Sequence, residues 1–339
     1  MSEHSVAQPA WSSGLIQRVA AGVKLPSPDF ARSVVGPLVT LGTMVIVFWQ
    51  LNANFLTVDN GLNILRQSAV LLVIAVAGTF VILMGSIDLS VGSLATLTTI
   101  FGTVMLRDYH SDWLLLLIPL LGLAAGFVNG VLFAYAALPS FLVTLGTLFA
   151  FDGLWLYISG GLPISLRAST GVDTFVNGDY LWRFPNSFLW ALVILALATL
   201  LARRTRFGRY IYAIGGGEKV ARLSGVPVRR YKLYAFMLCS MIASLGGALL
   251  MFRVESGGNY VGQPFLLTSI AAIVMGGTPL TGGVGGPQRT LLGVLIISVL
   301  TNGMSVANVH PFLQVVVQGV VVILAVAITI DRRKLTLIK

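Results

Sequence analysis

Charge is what this chain has least of. Only 10% of its 339 residues are Asp, Glu, Lys or Arg, against roughly 25% in an average soluble domain, while 56% are apolar. That balance excludes a soluble globular protein and indicates a polytopic membrane protein. Acid is the scarcer sign, with 12 Asp and Glu against 22 Lys and Arg. The basic excess clusters at the ends of apolar runs without aromatic interleaving, so it reports membrane topology and no nucleic-acid partner is expected. The single cysteine, Cys239, excludes an intrachain disulfide. His4, His110 and His310 are scattered without ligand spacing, and no metal site is expected. No Gly-x4-Gly-Lys-Ser/Thr occurs; Gly282 to Gly286 lacks the lysine, so the chain does not bind and hydrolyse ATP by that route. No catalytic constellation is found. Intramembrane Glu, Lys or His pairs of the kind that relay protons are missing, and Asp152 stands alone, which disfavours an ion-driven carrier. The first 30 residues lack the basic start, short apolar core and small-residue cleavage site of a secretory signal.

What is present is a series of apolar runs. Spans are expected at 35–51, 64–84, 90–106, 113–135, 140–158, 187–202, 232–252, 266–279, 289–307 and 312–330, an all-α fold of about ten transmembrane helices at roughly 20 residues each. This divides the chain into an N-terminal tail over 1–33, a membrane domain over 34–331 and a C-terminal tail over 332–339. Ser13 to Leu25 forms either a weakly amphipathic surface helix, with Leu15, Ile16 and Val19 on one side, or an unstructured tail. With both termini cytoplasmic, 17 Lys and Arg lie inside and five outside, the bias that the positive-inside rule requires. Two outer segments are longer than a turn needs: 159–188, either a folded loop or a flexible connector, and 253–264, a second candidate docking edge.

The polar island at 203–232 carries nine basic residues and one acid, Glu218. Inside it, Gly215, Gly216 and Gly217 precede a short helical phrase, Glu218 to Ser224. Gly225 can end that helix in a left-handed conformation, and Pro227 prevents its continuation. A small cytoplasmic helix between spans six and seven is expected.

Two glycine-rich breaks, 84–93 and 275–286, join apolar runs. Backbone without helical partners is tolerated at membrane depth only where it faces protein or a wet cavity, so these are either gate elements or tight cytoplasmic turns. Asp88 sits in the first as an N-terminal cap for the span starting near Ser90, or as a solute contact. Asn129, Thr144, Asn302, Gln314 and Gln318 are neutral polar residues in apolar spans. They line a path for a hydroxyl-rich solute or make ordinary interhelical hydrogen bonds. Small residues on spans four and seven, among them Gly122, Gly126, Ser240, Ser244 and Gly247, indicate close helix packing. Asn129-Gly130 with Pro139 to Leu142, and Asn302-Gly303 with Pro311 to Leu313, suggest an internal duplication of the kind common in transporters.

Taken together, these residues resemble the membrane permease subunit of ribose-type (monosaccharide) ABC importers. The resemblance is carried by Gly85-Ser-Ile-Asp88-Leu-Ser-Val-Gly-Ser93, Asn129-Gly130, Pro139-Ser-Phe-Leu-Val-Thr-Leu-Gly146, Thr205-Arg-Phe-Gly208-Arg-Tyr-Ile-Tyr-Ala213-Ile-Gly-Gly216, Ala221-Arg-Leu-Ser-Gly225, Ile270-Ala-Ala-Ile-Val-Met-Gly-Gly-Thr278 and Leu280-Thr-Gly-Gly283. It implies a homodimer in a bacterial inner membrane, a cytoplasmic ATPase subunit that uses ATP and Mg, and a periplasmic solute-binding protein; membrane lipid surrounds the chain, which itself binds no cofactor. It also implies that Gly215, Gly216, Glu218, Ala221, Arg222, Leu223, Ser224 and Gly225 form the element that couples to the ATPase. Where the family usually has Glu-Leu-Asp-Ala before Ile270, this chain has Leu266, Leu267, Thr268 and Ser269, and Gly217 stands where Asn is usual. The expected function is a transport subunit, not an enzyme, moving a ribose-like sugar. The alternatives are a nucleoside, a cyclitol, an autoinducer-type sugar derivative or a branched amino acid as cargo, or an ion-driven secondary transporter.

Overall fold

The computed structural model describes residues 28–109, 111–166, 170–179 and 183–329, without the side chains at 28–34, 170 and 325–329. The expected Ser13–Leu25 helix and the 332–339 tail lie outside the described residues. Among the described residues there are thirteen α-helices: α1 (Pro28–Leu51), α2 (Val58–Leu83), α3 (Val91–Tyr109), α4 (Ile118–Ala134), α5 (Ser140–Ser159), α6 (Thr170–Asn177), α7 (Asn186–Arg204), α8 (Arg206–Gly216), α9 (Glu218–Leu223), α10 (Val228–Val254), α11 (Pro264–Met275), α12 (Pro287–Val306) and α13 (Pro311–Thr329). One two-residue ladder, β1 (Ile164–Ser165) with antiparallel β2 (Ser256–Gly257), joins them.

Each expected span falls on a helix. Six helical stretches, containing α2, α4, α5, α7, α10 and α12, are long and apolar enough to cross a membrane. The apolar parts of α1, α11 and α13 are shorter. α3 owes its greater polarity to Thr96, Thr98, Thr99 and Thr103, all buried.

Two helices occupy the centre. α2 packs on α12, α7 and α11, and α10 packs on α4, α3 and α2, so their apolar surface faces protein rather than lipid. The α4–α10 contact is made close by glycine. A methyl group on Gly122 or Gly126 would sit 2.5 Å from backbone atoms of Ser240 and of Met237 and Phe236. Small residues at this spacing let helix backbones approach where lipid supplies no hydrophobic drive. The packing expected from small residues on these two spans is therefore observed.

The segment 253–264 is packed along one side on the bundle, while Glu255, Asn259, Tyr260 and Gln263 remain exposed. After α10 the chain turns back along α3: the Gly258 amide donates to Thr99 Oγ1 at 2.9 Å and the Gly262 amide to Thr96 Oγ1 at 3.0 Å. A methyl on Gly262 would lie 2.2 Å from the Gly92 carbonyl oxygen. Threonine hydroxyls of a neighbouring helix thus satisfy the backbone amides of a re-entrant strand, the condition for irregular chain inside a membrane bundle. Asp152, buried on α5, accepts from Trp155 Nε1 at 3.1 Å and from Gln263 Nε2 at 2.9 Å, tying α5 to the same segment. α11, which follows, has 12 residues and is about 18 Å long at 1.5 Å per residue, roughly half of a span.

The 159–188 segment is folded where it is described. It supplies β1 and α6, and α6 is fastened by Asn177 Nδ2 to the Phe252 carbonyl at 2.9 Å. Arg66 with Asp179 at 3.0 Å, and Arg183 with Asp59, bind the same segment to the start of α2.

Candidate functional site

The short helix expected after the glycine triplet is α9. Its end is a left-handed glycine cap: Gly225 has φ +81°, its amide donates to the Arg222 carbonyl at 3.1 Å, and the Val226 amide reaches back to the Ala221 carbonyl at 3.0 Å. That pairing satisfies carbonyls left orphaned by so short a helix. Ala221 is buried against the body of the protein, while Val220 and Leu223 are 68% and 81% exposed. Two large apolar side chains thus project from the most basic end of the molecule. Glu218 fixes the helix from beneath, accepting from Lys232 Nζ at 2.7 Å and from Arg222 Nη2 at 2.7 Å. Lys232 also lies 4.5 Å above the Phe133 ring. Burial alone would raise the Glu218 carboxyl, but the bonds and charges of Lys232 and Arg222 outweigh it and hold the group below the ordinary glutamate range.

The glycine triplet itself is not a loop. Gly215 and Gly216 form the last turn of a further helix, α8, capped at its start by Thr205, whose Oγ1 accepts from the Gly208 amide at 3.3 Å. Gly215 faces inward: a methyl there would stand 1.9 Å from the Leu83 carbonyl oxygen and 2.5 Å from the Gly283 nitrogen. That same carbonyl accepts the Gly283 amide at 2.8 Å, and a methyl on Gly282 would lie 2.6 Å from the Gly85 nitrogen. Three backbones therefore meet at one point: the end of α2, the break before α12 and the end of α8. Tyr212 Oη adds a bond to the Gly285 carbonyl at 2.8 Å, and Thr278 Oγ1 accepts from the Gly286 amide at 3.0 Å. The two glycine-rich breaks are brought together with the polar segment at 203–232, an arrangement that no short sequence pattern announces. Tyr212, Leu83 and Thr278 are the residues that sequence reasoning missed here.

The neutral polar residues separate into three groups. Asp88, Ser90 and Asn129 come together and are buried, Asn129 fully. Asp88 Oδ1 accepts from the Ser90 amide at 2.9 Å and from Ser90 Oγ at 2.6 Å, and Asn129 Nδ2 donates to Ser90 Oγ at 3.0 Å. Asp88 thus braces Ser90, the residue preceding α3, instead of capping the first-turn amides of that helix. Thr144, fully buried, makes no hydrogen bond to this cluster and turns back on its own helix, donating to the Ser140 carbonyl at 2.9 Å. Asn302, Gln314 and Gln318 belong to the α12–α13 region: Gln314 Nε2 donates to the Val309 carbonyl at 2.9 Å, and Gln318 Nε2 approaches Thr301 Oγ1 at 3.4 Å. Of the seven, Gln318 lines a cavity, of about 170 Å³.

With this geometry in place, comparison with known proteins is informative. The family described as "Branched-chain amino acid transport system / permease component" matches residues 60–326. The chain belongs to this permease family. The ribose import permease protein RbsC of Bacillus subtilis is 38% identical over 315 residues, covering 90% of this chain and 95% of that protein. The RbsC of Escherichia coli K12 is 35% identical, covering 88% and 93%. The xylose transport system permease protein XylH of the same strain is 34% identical, covering 84% and 88%. No solved structure matches.

Family membership makes the chain a transport component and a multi-pass membrane protein, and it extends over every element of the junction. The match begins inside α2, so α1 is outside it. The departure at Leu266 to Ser269 falls on the first half of α11, where Leu267 is exposed and Thr268 lines the cavity beside Gln318.

Proposed function

We propose that the chain is the pore subunit of an ATP-binding-cassette importer that carries a monosaccharide of the ribose or xylose type into a bacterial cell. The observation that carries this reading is the identity of 34–38% over more than four-fifths of the chain to permeases named for those two pentoses. In this reading the chain crosses the inner membrane in ten passes, one of them made by the short α11 together with the 253–264 segment, both termini are cytoplasmic, and two copies form the pathway. A periplasmic binding protein delivers the solute, and a cytoplasmic ATPase subunit, using ATP and Mg, drives the cycle. The orientation is supported by the 17 to five partition of basic residues. Docking of the ATPase on α9 is supported by the exposed apolar pair Val220 and Leu223 on a helix pinned by Ala221 and Glu218. Motion of α9 would reach the transmembrane helices through α8 and the glycine junction, because both are packed backbone with no intervening flexible side chain.

Reconstitution tests the reading. Uptake of labelled D-ribose or D-xylose into proteoliposomes should require ATP, the ATPase subunit and the binding protein. Accumulation by the chain alone under an ion gradient would refute it. A second cargo, a branched-chain amino acid, is favoured by the family description, and competition by unlabelled L-leucine decides between the two.

A further inference from the structure

The cavity beside Gln318 lies between α2, α11, α12 and α13, at the end of the bundle opposite α9. Its wall combines neutral hydrogen-bonding groups with apolar surface: Gln67, Thr268, Ser298, Thr301 and Gln318 on one count, Leu71 and Phe265 on the other. No carboxylate lines it, and its one charged neighbour, Arg253, has no carboxylate within salt-bridge distance among the described residues. Ser298 is 4% exposed, and it too lines the cavity.

The cavity is also placed at the start of a half-helix. Pro264 is at the first position of α11, and Phe265 and Thr268 belong to its first turns. Discontinuous helices whose ends open on a cavity inside the bundle are the places where transporters hold solute. Hydroxyl-rich solutes need many donors and acceptors and an apolar face for the ring carbons. They do not need a fixed countercharge, and this wall supplies none of negative sign.

We propose that this cavity is a holding site for one neutral pentose-class polyol on its way through the subunit. Ser298, Thr301, Gln67 and Gln318 meet its hydroxyls, the Arg253 guanidinium donates to another oxygen, and Phe265 covers the ring. The ligand class rests on the proposed importer function, whereas the position rests on the cavity alone.

Ligand protection of an introduced thiol tests it without any partner chain. The permease carrying Ser298→Cys is placed in lipid nanodiscs, and its reaction with a small methanethiosulfonate reagent is timed with and without D-ribose or D-xylose. Cys239 is fully buried and does not compete. At a pentose concentration about ten times Kd, mass action leaves about one site in eleven empty, so labelling slows about tenfold. Gln318→Cys, on the half-buried opposite wall, must show the same protection, and it serves alone where Ser298→Cys fails to fold. Equal labelling with and without pentose at both positions overturns the site and leaves ATP-driven uptake, measured separately, to stand or fall by itself. Protection by L-leucine but not by either pentose overturns the ligand class.

Discussion

Gly215→Ala is the sharpest probe of how α9 communicates with the membrane helices. The added methyl would lie 1.9 Å from the Leu83 carbonyl oxygen and 2.5 Å from the Gly283 nitrogen. Both neighbours are backbone atoms, so no side-chain rotation relieves the overlap. Bringing the methyl to about 3 Å requires the end of α8 to move about 1 Å away from α2, and overpacking of this kind costs typically 1–3 kcal/mol. The displacement strains the Gly283–Leu83 hydrogen bond and carries Tyr212 away from Gly285. Gly216→Ala is the control: it lies on the same turn, nothing stands within 4 Å of its added methyl, and alanine is favoured over glycine in a helix by about 1 kcal/mol. The assay is solute-stimulated ATPase activity and uptake by the reconstituted importer, together with the unfolding temperature of the permease. Gly215→Ala should lower transport per ATP hydrolysed and lower the unfolding temperature, while Gly216→Ala should leave both near wild type. If the two variants behave alike, the junction is not the path of transmission.

Three other expectations can be measured on the same material. Leu223→Glu places a charge on the 81% exposed tip of α9. It should abolish solute-stimulated ATPase activity without changing the unfolding temperature, and an unaltered ATPase response would rule α9 out as the docking element. Glu218 has a carboxyl lowered in the folded protein, so the stability it contributes is present above its unfolded value of about 4.3 and is lost as pH falls through the folded value. The difference in unfolding temperature between wild type and Glu218→Gln should therefore persist at neutral pH and shrink only in acid below that value; a difference that widens in acid contradicts the ion-pair account. Asp88→Ala removes the acceptor for two Ser90 donors and should destabilise by about 1–3 kcal/mol. Asp88→Asn keeps a carbonyl there and should cost less, and equal losses in thermal unfolding would show that charge, not hydrogen bonding, is what the site requires.

The long central helices were legible because an uninterrupted apolar run of bilayer length is hard to place anywhere but inside a membrane bundle, and α2 and α10 fell where their runs did. Gly225 was legible for a local reason: a glycine two positions before a proline and just after a helical phrase is a chain terminator whatever surrounds it. What escaped is what depends on a distant partner. The stretch 253–264 has the glycine and polar content of an exposed loop, and nothing in it records that Thr96 and Thr99, over 150 residues earlier, satisfy its amides. α8 was hidden by its own glycines, which weaken a helix in isolation; of these, Gly215 stands where Leu83 and Gly283 come too close for any side chain. The seven polar pathway candidates were chosen by residue type alone, so they mixed a buried brace around Ser90 with the one cavity-lining residue, Gln318, and omitted Ser298 and Thr268.

The concentration of glycine at one end of the bundle and of hydroxyl and amide side chains around the cavity at the other follows from two different mechanical needs. A joint that must pass a displacement without loss is best made of backbone, since side chains absorb small shifts by changing rotamer. The meeting of Leu83–Gly85, Gly215–Gly216 and Gly282–Gly283 has that construction, and on the proposed importer reading it serves as such a joint. A solute site must instead adapt to hydroxyl groups in several orientations, which is what rotatable Ser, Thr and Gln groups allow. α11 connects the two. Its C-terminal end runs directly into Gly276 and Thr278, which is bonded to Gly286, and its N-terminal turns place Phe265 and Thr268 on the cavity wall. Gly293 presses against its far side, where a methyl would lie 1.8 Å from the Ala272 carbonyl oxygen, so α11 and α12 shift as a pair. On the proposed importer reading, a tilt imposed on α8 would arrive at Thr268 through about 10 Å of rigid helix, and the cavity would change shape without any of its own residues touching the ATPase.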